Sequence, residues 1–337
     1  MTALQQELVI TVVKVLVLFN VLLGLFSLMT YVERRVLAFM QFRLGPNRTG
    51  PFGILQPVAD GIKLFFKEEV APAGANKWLF VAAPAVSIVT AFLSIAVVPY
   101  GGTVHLFGRD ISLQIADLDV GVLFLFAISS LSVYGIVMAG WAANNKYTLM
   151  GGLRSSAQMF SYELALGMSW VGVIMLAQSF RVADIVESQA GGFWHWNFFR
   201  QVLAFLIYVV AATAEVNRTP FDLPEAETEL VAGFHTEYSS MRFALLQMAE
   251  YVNMITASAL GSNLFLGGWL SPLPQFIPDS PLWFVLKLFV CLFFFIWLRG
   301  TVPRIRYDQL MDFGWKVLVP LAALNALLTG AVVVFPR

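Results

Sequence analysis

The run Leu8–Met29, LVITVVKVLVLFNVLLGLFSLM, carries a single charge, Lys14. About 20 apolar residues in a helix span a bilayer, so this run reads as a membrane helix. It has no basic start and no small-residue cleavage site, and it is too long for a removable leader. It therefore reads as a first crossing that stays in the membrane. Seven further runs qualify along the chain: Leu79–Val98, Val120–Trp141, Phe160–Phe180, Phe199–Val216, Phe243–Phe265, Leu282–Arg299 and Trp315–Phe335. Backbone polar groups in lipid must be paired within the segment, which leaves helices as the reading for all eight. The expected fold is an all-α integral membrane protein, with about eight transmembrane helices plus an amphipathic surface helix, in a single membrane domain covering residues 1–337.

Composition agrees. Hydrophobic residues make up 58% of the 337 and charged residues only 12%, about half the charged share of a soluble domain. The net charge is zero, so no basic field points to nucleic acid. The one cysteine, Cys291, lies inside an apolar run. It has no internal partner for a disulfide and cannot by itself hold an iron–sulfur cluster, which usually takes four thiolates. His105, His195 and His235 are far apart. There is no phosphate loop, metal-ligand cluster or nucleophile triad. Any redox centre then belongs to a partner or is a diffusible molecule.

Lys and Arg set the orientation. Of the 21, 15 lie in or beside the connections after the first, third, fifth and seventh runs, and 4 flank the opposite side. Both termini are expected outside. The basic connections, about 31–78, 142–159, 217–242 and 300–314, are expected to face the cytoplasm. The opposite loops are rich in Gly, Pro and apolar residues and hold no cluster of chemical groups.

In the first basic connection, Gly45-Pro46-Asn47 and Gly50-Pro51 mark tight turns. Beyond them Asp60, Lys63 and Lys67 share one helical face and the other side is apolar. This pattern fits a helix lying along the membrane surface, either as a plain anchor or as the floor of a lateral opening. Glu33-Arg34-Arg35 ends the first run. The two arginines suit an inner-face anchor, whereas the acid does nothing for topology.

The third basic connection is the densest in acid. Glu215–Ser240, EVNRTPFDLPEAETELVAGFHTEYSS, holds six of the 21 acidic residues: Glu215, Asp222, Glu225, Glu227, Glu229 and Glu237. Glu225, Glu227 and Glu229 would alternate faces in a strand, while a helix would put Glu225 and Glu229 together and turn Glu227 away. Glu163, Glu215 and Glu250 fall within or at the ends of apolar runs. Ionisable groups at membrane depth are costly and are functional candidates. Crowding and burial both raise carboxyl proton affinity, so such a set can take up and pass on protons. The competing reading is of separate surface acids paired with Arg154, Arg218 and Arg242. His235 is in reach of neutral titration, and Tyr134, Tyr147, Tyr162 and Tyr251 are candidates for a hydrogen-bonded relay.

The motifs Glu33-Arg34-Arg35, GPNRTGPFGILQPVADGIKLFFKE (Gly45–Glu68), SYELALG (Ser161–Gly167), the acidic stretch and RYDQLM (Arg306–Met311) together resemble the quinone-site membrane subunit of respiratory complex I, NADH–quinone oxidoreductase. The resemblance implies a helical heel of the membrane arm, whose basic connections complete a chamber for ubiquinone or menaquinone. It implies Glu33, Arg34, Arg35, Ala59, Asp60, Lys63 and Phe221 at that chamber. It implies Glu163, Glu215, Glu225, Glu227, Glu229 and Glu250 as a proton relay. Iron–sulfur clusters, FMN and NADH would sit only in partner subunits. The implied partners are the peripheral-arm subunits, small membrane-arm subunits, antiporter-like subunits and the lipid bilayer, in a bacterial inner membrane. Two rivals stand beside this: the equivalent subunit of a membrane-bound hydrogenase, and an independent ion transporter. The latter fits less well, since no inverted repeat is visible.

Overall fold

The computed structural model describes residues 3–106, 109–224 and 227–335. A 38-residue helix, α1 (Ala3–Met40), leads to the short amphipathic α2 (Gln56–Phe66), then α3 (Lys77–Ala96). A two-stranded antiparallel hairpin follows, β1 (Thr103–Leu106) on β2 (Arg109–Ser112), with Thr103 opposite Ser112. Next come α4 (Gly121–Ala142), α5 (Lys146–Ala177), α6 (Val182–Glu187), α7 (Asn197–Arg200) and α8 (Val202–Glu215). The one-turn α9 (Glu227–Leu230) precedes α10 (Ser240–Phe265), α11 (Pro281–Thr301), α12 (Tyr307–Phe313) and α13 (Val319–Val334). A π-helical turn, Gly314–Leu318, joins the last two.

Six of these helical units are long and apolar enough to cross a bilayer: α1, α3, α4, α5, α11 and the continuous α12–α13. The other two expected crossings are less regular. In the first, α7 and α8 are separate helices with Gln201 between them in a non-helical conformation. In the second, α10 has 26 residues, ample for a crossing, but carries buried Thr256, Ser258, Ser262 and Asn263 and the acid Glu250. Helices stand at all eight places where hydropathy puts a crossing, six of them long and apolar enough to span.

The boundaries shift where hydropathy is a poor guide. Helix α1 runs on to Met40, so Glu33, Arg34 and Arg35 are helical residues and not part of a loop. Helix α5 starts at Lys146, capped by the Asn145 side chain, which accepts from the Tyr147 amide. The second basic connection therefore shrinks to a turn, and Glu163 sits mid-helix rather than near a helix start. The stretch 146–159 is helical with Thr148, Ser155 and Gln158 buried against neighbouring elements. A Cβ at Gly140 would meet the Thr148 carbonyl oxygen at 2.6 Å, so the backbones of α4 and α5 touch there. Small residues permit this close approach in membrane helices.

At the centre are α3, α4, α5, α8 and α10, with α13 against α5 and α11 against α10. Helix α1 lies at the edge, with Leu16 and Val17 more than half exposed. Such a surface is wet in isolation and apolar in lipid. On the basic side α2 rests on α1 and α10 without burying any residue fully.

Candidate functional site

The end of α8 builds the site. Asn217 adopts a left-handed conformation (φ 54°), which Asn tolerates better than most residues. Its amide donates to the Ala214 carbonyl at 3.2 Å, and the next amide, Arg218, donates to Thr213 at 3.3 Å. That is the Schellman pairing that stops a helix and reverses the chain. The reversal drives Arg218 inward, to 6% exposure. Gln158 of α5, fully buried, fixes the turn from behind. Its amide nitrogen is 2.7 Å from the Ala214 carbonyl and 2.8 Å from that of Phe221.

Around Arg218 is a buried ion network. Its Nη1 donates to Glu33 Oε1 at 3.1 Å. Its Nε lies 3.0 Å from Glu250 Oε1, an ion pair whose N–H direction misses the oxygen. The guanidinium carbon is 4.5 Å from the Tyr251 ring centroid. Glu33, 4% exposed, also accepts from Arg299 of α11 and, at 2.6 Å, from the Tyr251 hydroxyl. Two acids thus face two arginines, in a place where a lone charge would cost several kcal/mol. Asp222 borders the cluster, 3.3 Å from Arg304, with Oδ1 buried and without a hydrogen bond. Burial pushes its carboxyl above the usual range, against the pull of Arg304 and Arg299.

A second pair lies deeper. Glu163 of α5 accepts from Ser130 and, at 3.3 Å, from Ser129 of α4. Ser129 also borders a cavity that the Glu215 side chain, at the end of α8, opens on, so both acids stand beside this hydroxyl. Glu215 opens on two small cavities. One, about 50 Å³, is lined by Ser94, Ser129, Ser132, Thr256 and Asn253 among others. The other, about 40 Å³, reaches Glu250 through Ser132, Asn217 and Asn253. A water needs roughly 10–15 Å³ of such space and two to four polar partners, so each cavity has room for a few. Ser132, Asn253 and Glu215 border both, so Glu250 and Glu215 are reached from neighbouring cavities whose polar groups are set among apolar walls such as Leu125, Trp170, Phe234 and Leu246.

The remaining predicted residues scatter. Glu229 pairs with Arg154 at 2.6 Å, half exposed, as the surface-acid reading has it. Glu225 lies outside the described residues, and so does the side chain of Glu227, whose backbone begins α9. Helix α9 itself settles the strand-or-helix question for Glu227 and Glu229 in favour of helix. Asp60 of α2 pairs with Arg34 at 2.6 Å and Lys63 at 3.6 Å. Partial burial would raise the Asp60 carboxyl, but Arg34, Gln56 and Lys63 outweigh it and hold it low. Arg35 donates to the Phe52 carbonyl at 2.7 Å and to the Tyr31 hydroxyl at 3.0 Å, pinning the turn before α2. Ala59 is half-buried where α2 meets its neighbours. Phe221 is in the core, its ring 5.6 Å from that of Tyr162. The two small cavities lie behind α5, α8 and α10, and α2 lines neither.

Sequence reasoning treated Arg299 only as a topology marker and did not weigh Gln158, Ser129, Ser130, Asn217 or Asn253. Neutral polar residues inside apolar runs were the available signal. His235 is enclosed by Phe234 and Phe243, with ring centroids 5.0 and 5.4 Å away. Burial lowers its pKa to about 4, which keeps it neutral at physiological pH.

Residues 13–330 match the family described as NADH dehydrogenase. The chain is 52% identical over 331 residues to an H-type subunit of the NADH-quinone oxidoreductase of Geobacter metallireducens, covering 98% of each. It is 54% identical over 323 residues to an H-type subunit of the same enzyme in Geobacter sulfurreducens, covering 96% of each. A further relative, the H-type subunit of Thermomicrobium roseum, is 52% identical over 334 residues, with 97% of each chain covered.

Proposed function

Because the chain belongs to the NADH dehydrogenase family, we propose that it works as the membrane subunit where a proton-pumping NADH–quinone oxidoreductase couples quinone reduction to proton movement. Its basic side, with Arg34, Arg35, Ala59, Asp60 and Lys63 around α2 and the buried Glu33 and Phe221 further in, completes a quinone chamber together with peripheral-arm subunits. Ubiquinone or menaquinone is the substrate. Its reduction to quinol takes two electrons and two protons. The electrons arrive from an iron–sulfur cluster in a neighbouring subunit, fed by that arm's FMN and NADH. In this reading the chain is one domain of a bacterial inner membrane with both termini outside, beside small membrane-arm and antiporter-like subunits.

The observation that carries the reading is the continuity of the acids. The Glu33–Arg218–Glu250 network, nearest the basic face, adjoins two small cavities that lead to Glu215 and, beside Ser129, to Glu163. A charge change on the chamber side alters the balance of two acids against two arginines. Glu250 is the member with the weaker hydrogen bonding and can exchange a proton with water in these cavities. We assign Glu225, Glu227 and Glu229 of the acidic connection to the same relay, as the family resemblance implies. The test is Glu215→Gln and Glu163→Gln in membranes, assayed for quinone reduction and for proton pumping. We expect both to lose pumping, with quinone reduction falling at least tenfold for Glu215→Gln. Unaltered rates in both assays would sink the proposal.

A further inference from the structure

At the other end of the helices from the ion network, α1, α10, α11, the end of β2 and the chain after it line a groove of about 780 Å³. That is the size of a ligand site. Its walls are mostly Val, Leu, Ile and Phe side chains, with Tyr100, Ser112 and Gln114 at one end, and Lys14 is the one charged residue lining it among the described residues. The Lys14 ammonium donates to the Gln114 carbonyl at 3.1 Å and to Ser112 Oγ at 3.3 Å, both neutral. An ammonium has three donors, so one N–H remains for an anion, and no carboxylate pairs with it among the described residues.

Height in the bilayer follows from the same contacts. The Gln114 side chain donates to the Val97 carbonyl, at the cap of the 20-residue crossing α3. Lys14 is therefore level with the end of a full crossing, at the membrane boundary. The groove follows α1 from Val9 to Leu28; the part from Lys14 to Leu28 is about 21 Å long at the helical rise, with little more than one turn beyond Lys14. One leaflet of hydrocarbon is about 15 Å deep, half of the ~30 Å core. A cation near headgroup height beside an apolar slot at least one leaflet deep is complementary in shape and charge to an anionic phospholipid. A protein helix is a poorer fit. It is about 10 Å across, and helix seams in membranes use small residues, whereas Val13, Val17, Val21, Val285 and Phe289 stand out into this space.

We propose that this groove binds an anionic phospholipid, with the phosphate on Lys14 and an acyl chain between α1 and α11. The site needs only the membrane setting, not the quinone reading. The assay uses the whole complex in nanodiscs containing phosphatidylglycerol with a photoreactive acyl chain. We expect labelling concentrated on 13–25 and 284–289 that excess unlabelled phosphatidylglycerol suppresses. Lys14→Ala should lower that labelling severalfold and Lys14→Arg restore it. Val21→Trp, which fills the slot, should remove it while label elsewhere persists. The wild-type competition needs no variant, so a misassembled mutant cannot obscure the outcome. Even labelling of all lipid-facing helices would overturn the site, as would indifference to Lys14→Ala. So would displacement by a long-tailed quinone but not by phospholipid, or capture of a neighbouring subunit by a photo-crosslinker at Val21.

Discussion

Replacing Arg218 by Met removes the cation that two buried acids share. Glu33 keeps Arg299 and Tyr251, but Glu250 loses its nearest positive charge. Breaking a buried pair from one side costs about 3–5 kcal/mol, because the other charge stays behind uncompensated. The cost should fall on Glu250, and the prediction is that Glu250→Gln relieves it. Alone, Glu250→Gln should cost about 1–3 kcal/mol, the range for a disturbed buried polar group. If the two residues form one unit, the double variant costs less than the sum, by about 1–3 kcal/mol of coupling. Lysine is a poor substitute at 218, since a compact ammonium cannot serve both acids and lie over the Tyr251 ring as a planar guanidinium does. The assay is the thermal inactivation midpoint of the purified complex for both single variants and the double, with Arg218→Lys as a fourth. Additive losses, or an Arg218→Lys protein as stable as the parent, would refute the idea of a shared cation.

Three other outcomes follow from the geometry. His235 is held neutral, so its stabilising contribution is present above about pH 6.5 and is lost as pH falls towards 4. The loss is at most about 3 kcal/mol, and proteolytic nicking of 227–240 should rise at pH 4.5 over pH 7 in the wild type but not in His235→Gln. A Cβ at Gly151 would meet the Phe234 amide nitrogen at 2.7 Å, so Gly151→Ala should push the acidic connection off α5 and cost about 1–3 kcal/mol, read as faster nicking of that stretch. At Asn217, Ala should cost about 1–2 kcal/mol because of its left-handed backbone, while Gly should be near neutral; equal effects of the two on inactivation temperature would count against the Schellman reading of that turn.

Hydropathy along the chain is a local property, and it sufficed for the all-α membrane fold and for most of the crossings. Turn residues and three- and four-residue spacing sufficed for α2. Quoted motifs sufficed for the family resemblance that relatives at about half identity bear out. Local signals misplaced the starts and ends of helices where polar residues are helical and packed against neighbours, as Thr148, Ser155 and Gln158 are in α5 and Glu33 is in α1.

Which acids belong together is a different kind of fact. Glu33 meets Arg218 across 185 residues of sequence and Arg299 across 266, and no pattern within a window of the chain encodes that pairing. Glu229, from the same acidic stretch as Glu215, is bound to a surface arginine, while Glu215 faces two small cavities. The physical reason is that the charge and solvent around a carboxylate are set by whatever helices the fold brings against it. The order of residues was enough to place this chain in a membrane and to show that it carries costly acids there. It took the packed helices to join two of those acids through Arg218, and to leave small cavities bordered by Ser132 and Asn253 beside the next.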